Sequence, residues 1–323
     1  MNLWRVAIDE RSGRPRGEPE PVTTPSPYSG SMSFSRDGRR LAYVQQIATS
    51  NIHRIEFDPR AEKVAGQPVP ITRGSRQIAS MAAAADGEWI AFATGGAQED
   101  LFVMRKDGAG MRQLTDDPYR DRQPRWSPDG KRLLFYSNRS GEYEAWVIHA
   151  DGSGAQQLTF TPDANVVRFP AWSPNGKQIS VIFDQTSYIM EAEKPWKEQS
   201  PQALPAGPDP KESLGAADWS PDGRRLAGQY YPAEAGIGVY SFDSRQYRKL
   251  TSSGWLPVWL RDSRRLLFTD QSIKLVDTES GKVRQVLSLA PHESLAVALS
   301  PDDRHIYFVL GVTEADIWLA SLY

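Results

Sequence analysis

Cysteine is absent from the 323 residues, which excludes a disulfide framework, a thiolate nucleophile and a thiolate metal site. An excess of one charge is absent too. Thirty-eight basic residues face 40 acidic ones, and the net charge of −2 gives no general pull toward nucleic acid or an anionic membrane. No stretch approaches the roughly 18 uninterrupted apolar residues that a membrane helix needs. Helical periodicity is missing nearly everywhere. The opening Met1-Asn-Leu-Trp-Arg-Val-Ala-Ile-Asp9 lacks the basic segment and apolar run of a secretion leader, reads as a β-strand, and taken literally keeps the chain in the cytoplasm. Catalytic signatures are missing as well. There is no Gly-x-Ser-x-Gly elbow and no phosphate loop ending in Gly-Lys-Ser/Thr. Gly108-Ala-Gly and Gly236-Ile-Gly fall short of a dinucleotide fingerprint. His53, His149, His292 and His305 have no His-x-x-x-His or Glu-x-x-His partners. Neither a catalytic residue nor a cofactor or metal site is assigned.

What is present is a phrase repeated seven times. Its clearest copies are Trp126-Ser-Pro-Asp-Gly-Lys-Arg-Leu-Leu-Phe, Trp172-Ser-Pro-Asn-Gly-Lys-Gln-Ile-Ser-Val and Trp219-Ser-Pro-Asp-Gly-Arg-Arg-Leu-Ala-Gly. The turn positions are Gly38, Gly87, Gly130, Gly176, Gly223, Ser263 and Asp303, spaced 49, 43, 46, 47, 40 and 40 residues apart. A period in this range marks a repeat architecture. Around the third copy, four short strands follow one another. Arg125-Trp-Ser127 enters the tight turn Ser127-Pro-Asp129-Gly130, where proline fixes φ, aspartate bonds its own backbone and glycine accepts positive φ. A second strand spans 132–137 and a third 144–150, and after Asp151-Gly-Ser-Gly154 a fourth ends in Gln157-Leu-Thr159. Third strands also read at 51–57, 100–105, 188–191, 236–242, 272–276 and 316–322. Fourth strands end at Thr72, Thr115 and Thr251, and 193–216 reads as an irregular excursion.

The predicted fold is all-β: a seven-bladed β-propeller of four-stranded antiparallel blades, one domain over 1–323, closed by pairing of N- and C-terminal strands. Residues 19–23 read as the fourth strand of the closing blade and 316–322 as its third. That leaves 2–9 as a surplus strand, the expected mark of a chain cut from a longer protein. Trp126, Trp172, Trp219 and Trp259 recur once per repeat and read as wedges packed between blades, together with the structural turn residues Asp129, Gly130, Gly176, Asp222 and Gly223. One rim carries the tight turns. The other carries longer, varied loops: 95–99, 116–122, 161–168 and 231–234. Binding residues concentrate on loops held by a rigid scaffold. Asp121, Arg122 and Arg168 are therefore the candidate ligand contacts at the channel mouth, with Asp116, Asp117 and Tyr119 beside them. Asp116, Asp117 and Asp121 offer oxygen ligands to a hard cation but lack calcium-loop spacing. Asn138-Arg-Ser140 matches a glycosylation acceptor.

The run Arg125-Trp-Ser-Pro-Asp-Gly-Lys-Arg-Leu-Leu-Phe-Tyr-Ser-Asn-Arg-Ser-Gly, followed by Trp146-Val-Ile-His-Ala-Asp-Gly-Ser-Gly-Ala-Gln-Gln-Leu-Thr, resembles the blades of TolB-type (PD40, WD40-like) propellers. The resemblance continues with decay from residue 30 to the C-terminus. It implies an exported, periplasmic, non-catalytic bacterial propeller that binds a protein or peptide partner. No nucleic acid, no membrane insertion and a monomeric state are expected. The chain departs from TolB in lacking its small N-terminal α/β domain and in showing seven repeats where TolB has six blades. The repeat also resembles the propeller capping serine peptidases of the prolyl oligopeptidase type, and blade arrays that follow kinase or winged-helix domains in bacterial regulators. The expectations are thus a binding scaffold, or a peptidase cap, or a sensor module.

Overall fold

A computed structural model describes residues 3–22, 28–161, 166–183, 185–207, 209, 212–231 and 236–322. The chain divides into two compact units, residues 50–311 and residues 1–49 with 312–323.

The larger unit is built from the repeated phrase. Blade A runs Ile78–Ala83, Trp89–Thr94, Leu101–Arg105, Arg112–Gln113, and blade B runs Asp121–Trp126, Arg132–Ser137, Glu144–His149, Gln156–Gln157. Blade C (168–203), blade D (213–249) and blade E (255–288) repeat the same antiparallel order of four strands. Blade F is assembled from both sides of the chain. Glu293–Leu299 pairs with the first part of His305–Ser321, and residues 50–58 pair with Lys63–Pro70. The join is made by the Phe57 amide, which donates to the Arg304 carbonyl at 2.8 Å. The innermost strands neighbour one another in the cycle A, B, C, D, E, F and back to A.

In the smaller unit Trp4–Ile8 pairs with Pro15–Pro21, and Tyr28–Phe34 pairs with the first part of Arg40–Asp58. The Leu322 amide donates to Arg39 O at 2.8 Å. Seven sheets therefore occur among the described residues: five four-stranded, one five-stranded and one two-stranded. Six of them make the ring. The phrase at Gly38 turns the hairpin of the smaller unit. Two expected strand assignments change. Residues 316–322 do not form a third strand of the closing blade, because 305–321 is one uninterrupted strand in which Gly311 stays paired with Glu293. The third strand is residues 50–58 instead. Residues 19–21 belong to the hairpin that also takes up the surplus strand Trp4–Ile8, and Thr23 lies outside the described residues. The stretch 193–216 holds the 3-10 turn Trp196–Glu198, the last strand of blade C and the start of blade D at Ser213.

The phrase works as its chemistry suggests. The Ser127 hydroxyl donates to Asp129 at 2.5 Å, and Asp129 accepts from the Lys131 amide at 3.1 Å. These bonds hold its carboxyl below the usual carboxylate range. Gly130 sits at φ +69°, and the worn repeats keep the same left-handed corner with Ser263 at +54° and Asp303 at +58°. Trp172, Trp219 and Trp259 are buried, and Trp172 packs with Leu134 and Val147 of blade B as well as Ile179 of its own blade. The arginine two residues past the turn glycine explains a further part of the phrase. Arg132 lies 5.2 Å from the Trp172 ring of the next blade and Arg225 lies 5.5 Å from Trp259. The recurrent Leu-Thr ending has its own task. Thr72, Thr115, Thr159 and Thr251 accept, through Oγ1, an amide at or near the start of a third strand, from Ile52, Leu101, Ala145 and Ile237 at 2.8–3.0 Å.

Replacing Gly130 by alanine places a side chain where none is favoured, although nothing else crowds the site. Urea unfolding of Gly130→Ala is expected to show a loss of about 1 kcal/mol.

Candidate functional site

The loop-rich rim is organised by Arg139, from the loop between the second and third strands of blade B. Its guanidinium donates to both oxygens of Asp121 at 2.8 and 2.7 Å and lies 3.4 Å from Asp117. It is stacked between rings: Trp146 at 5.2 Å, Phe135 at 5.4 Å and Tyr119 at 6.0 Å. Asp121 is 0% exposed, so its carboxylate is a buried charge neutralised in place. Arg122 forms a two-nitrogen fork on Glu99, which belongs to blade A, and covers the Tyr143 ring at 5.0 Å. Asp121 N donates to Glu99 O at 2.8 Å, so the two blades are joined by backbone and side chain together. Burial pushes the Tyr136 phenol up, opposed by the charges of Arg122 and Arg168.

The six residues singled out in the sequence therefore separate into two kinds. Asp121, Asp117 and Arg122 are engaged in ion pairs that fix the rim. Tyr119, Asp116 and Arg168 are exposed. Arg139 stands where a cation would have to sit between Asp117 and Asp121. Among the described residues, no group of three or more His, Asp or Glu is placed to hold a metal ion. Asn138 uses its side-chain oxygen to accept the Arg120 amide at 2.8 Å. The loops 161–168 and 231–234 lie partly outside the described residues. Sequence reasoning missed Arg139 and Glu99. Glu99 sits in the loop 95–99 that had marked that rim, and Arg139 in the corresponding second-to-third-strand loop of blade B.

A second site lies in the channel. Each innermost strand carries a register shift, as between Arg122 and Arg125 in blade B and between Arg168 and Ala171 in blade C. Gln123, Phe169 and Leu256 take φ of +55°, +48° and +53° at these bulges. Beyond the bulge, the residue just before the position that Trp126, Trp172, Trp219 and Trp259 hold in four blades borders a cavity of about 400 Å³ inside the tight-turn rim. Blade by blade these residues are Ala82, Arg125, Ala171, Asp218, Val258 and Ala298. Asp218 accepts the Trp259 amide at 2.9 Å. Burial pushes its carboxyl up to about 6, against the pull of Arg125, and burial likewise lowers the Arg125 guanidinium.

A family model described as the TolB beta propeller domain matches residues 18–212. Dipeptidyl-peptidase 5 of Porphyromonas gingivalis is 24% identical over 71% of this chain and 43% of its own length. The uncharacterized peptidase YuxL of Bacillus subtilis is 26% identical over 56% of this chain and 26% of its own length. The chain thus spans less than half the length of these two relatives. Among solved structures, a putative TolB from Agrobacterium tumefaciens superposes with a TM-score of 0.59 at 16% identity, covering 82% of this chain and 99% of that one.

Removing the guanidinium that neutralises Asp121 leaves a buried charge uncompensated. Arg139→Met is expected to lower stability by about 3–5 kcal/mol in urea unfolding. Asp218 is the opposite case, because its folded value of about 6 lies above the ordinary 3.8. Between those values the folded protein binds more protons than the unfolded chain, so the penalty of the charged form is complete above pH 6 and gone below pH 4. Lowering the pH from about 7.5 to about 4 is expected to shift the stability difference between wild type and Asp218→Asn toward wild type by on the order of 2 kcal/mol.

Proposed function

This chain belongs to the TolB β-propeller family, and on that footing we propose that it is a non-catalytic scaffold, a module of a larger bacterial protein, that recognises a protein or peptide partner on its loop-rich rim. One observation carries this: the Arg139 and Glu99 ion pairs lock the rim of blades A and B while leaving Tyr119 and Arg168 exposed beside them. An aromatic ring and a guanidinium on a preorganised base are the residue types that dominate binding energy at protein interfaces. An exported setting follows from the family resemblance and belongs to the same proposal. A peptidase cap is the second reading, favoured by the similarity to dipeptidyl-peptidase 5, of which this chain spans 43%. In that case the same rim or the channel meets the peptide before a hydrolase domain does.

Phage-displayed random peptides selected on the purified chain test the proposal. Enriched peptides are expected to bind wild type and to lose about tenfold or more in affinity to the double variant Tyr119→Ala, Arg168→Ala. Enrichment that ignores this variant, or none at all, contradicts the choice of rim. If a hydrolase domain is encoded in the same reading frame, assays of the two together separate cap from scaffold. A cap makes cleavage depend on substrate size, and a scaffold leaves it unchanged.

A further inference from the structure

The channel ring is chemically uneven. Four of its six blade-equivalent positions are small or apolar: Ala82, Ala171, Val258 and Ala298. The other two, Arg125 and Asp218, carry opposite full charges and sit on blades B and D, with Ala171 of blade C between them. Each feels the other's charge. Yet among the described residues the ion pairs and hydrogen bonds that hold the rim have no counterpart joining these two. Asp218 accepts one backbone amide through Oδ2. A charge pair that served only to strap two blades together would be expected to close into direct contact, as Arg139 does on Asp121 at 2.7 Å. Here the two charges border an open space of about 400 Å³, within the range of small-molecule sites.

We propose that this cavity binds a small zwitterion, with its carboxylate on Arg125, its ammonium on Asp218 and its carbon chain against the small apolar residues between them. The chemistry is complementary at each end. A guanidinium presents a planar fork that matches a carboxylate, and a carboxylate accepts the protons of an ammonium. A neutral or singly charged ligand would leave one partly buried charge without a counter-charge, so the ring selects for both ends at once. The site does not rest on the rim assignment, since it lies at the opposite mouth.

Calorimetric titration of the intact chain with ω-amino acids of increasing length (glycine, β-alanine, 4-aminobutyrate, 6-aminohexanoate) tests this. Saturable binding with an optimum at one chain length is expected. The N-acetyl and the carboxamide derivatives of the best ligand should each bind about tenfold or more weakly. Arg125→Met and Asp218→Asn should each remove the preference for the matching charged end. If either fails to fold, Val258→Phe, which fills the cavity and leaves both charges in place, should abolish binding. Lack of saturable heat for every member, or equal binding of the capped derivatives by wild type, overturns the proposal. Rim-dependent peptide binding together with no saturable heat for any zwitterion would leave the rim function standing while this site falls, and saturable zwitterion binding without rim-dependent peptides separates them the other way.

Discussion

Closure of the ring is the constraint on which the remainder of the larger unit depends. A sheet that ended at blade E would expose a face and an edge of unpaired backbone groups. Blade F removes both by drawing two strands from each side of the chain, and residues 50–58 are its hinge. Ile52 packs with Phe92 and Met104 of blade A, while Ile55 and Phe57 pack with Leu267 and Leu275 of blade E. This nine-residue segment, like the strands 293–299 and 305–311 beside it, contributes to both hydrophobic clusters. The hydrogen bond from Phe57 to Arg304 holds that segment to the C-terminal strands. Such long-range pairing is costly in chain entropy, and it is offset only when both clusters form together.

A closed ring turns a one-dimensional repeat into a site. The bulge in each innermost strand brings the residue before the motif aromatic to the channel, so a single sequence position becomes a circle of side chains. Most blades fill that position with alanine or valine, and two place a charge there. At the other rim the loops are not constrained by the repeat. There Arg139 and Glu99 tie down their neighbours by ion pairs across loops and blades. The buried carboxylates differ accordingly. Asp121 is matched by one Arg139 nitrogen that donates to both of its oxygens, whereas Asp218 has a distant partner and a raised pKa.

Much of this was legible in the residues. Local chemistry wrote the turn, and all seven turn positions, glycine or not, adopt positive φ. The Leu-Thr endings recur because the threonine meets a third-strand amide in each of four blades, and Trp172 and Trp259 each lie under an arginine of the preceding blade. What depends on pairing between distant loops was not legible. Arg139 bonds Asp121 eighteen residues away and Arg122 bonds Glu99 across twenty-three, with no spacing rule to reveal either. Residues 316–322 were read as a third strand, whereas 305–321 is a single strand and the third strand of that blade comes from residues 50–58. The seven phrases likewise outnumber the six sheets of the ring, since the turn at Gly38 belongs to the smaller unit. Arg125 and Asp218 were within reach: stacking the repeats and reading one column before the aromatic shows two charges among small residues.

Native-state hydrogen exchange at the Phe57 amide tests ring closure most directly. Closure predicts that this amide, which donates to Arg304 O, exchanges only through global unfolding, as slowly as interior amides of blade B such as Phe135. Exchange through local opening, at a free energy well below the global value, would mean that blade F is not the lock of the ring and would contradict the account.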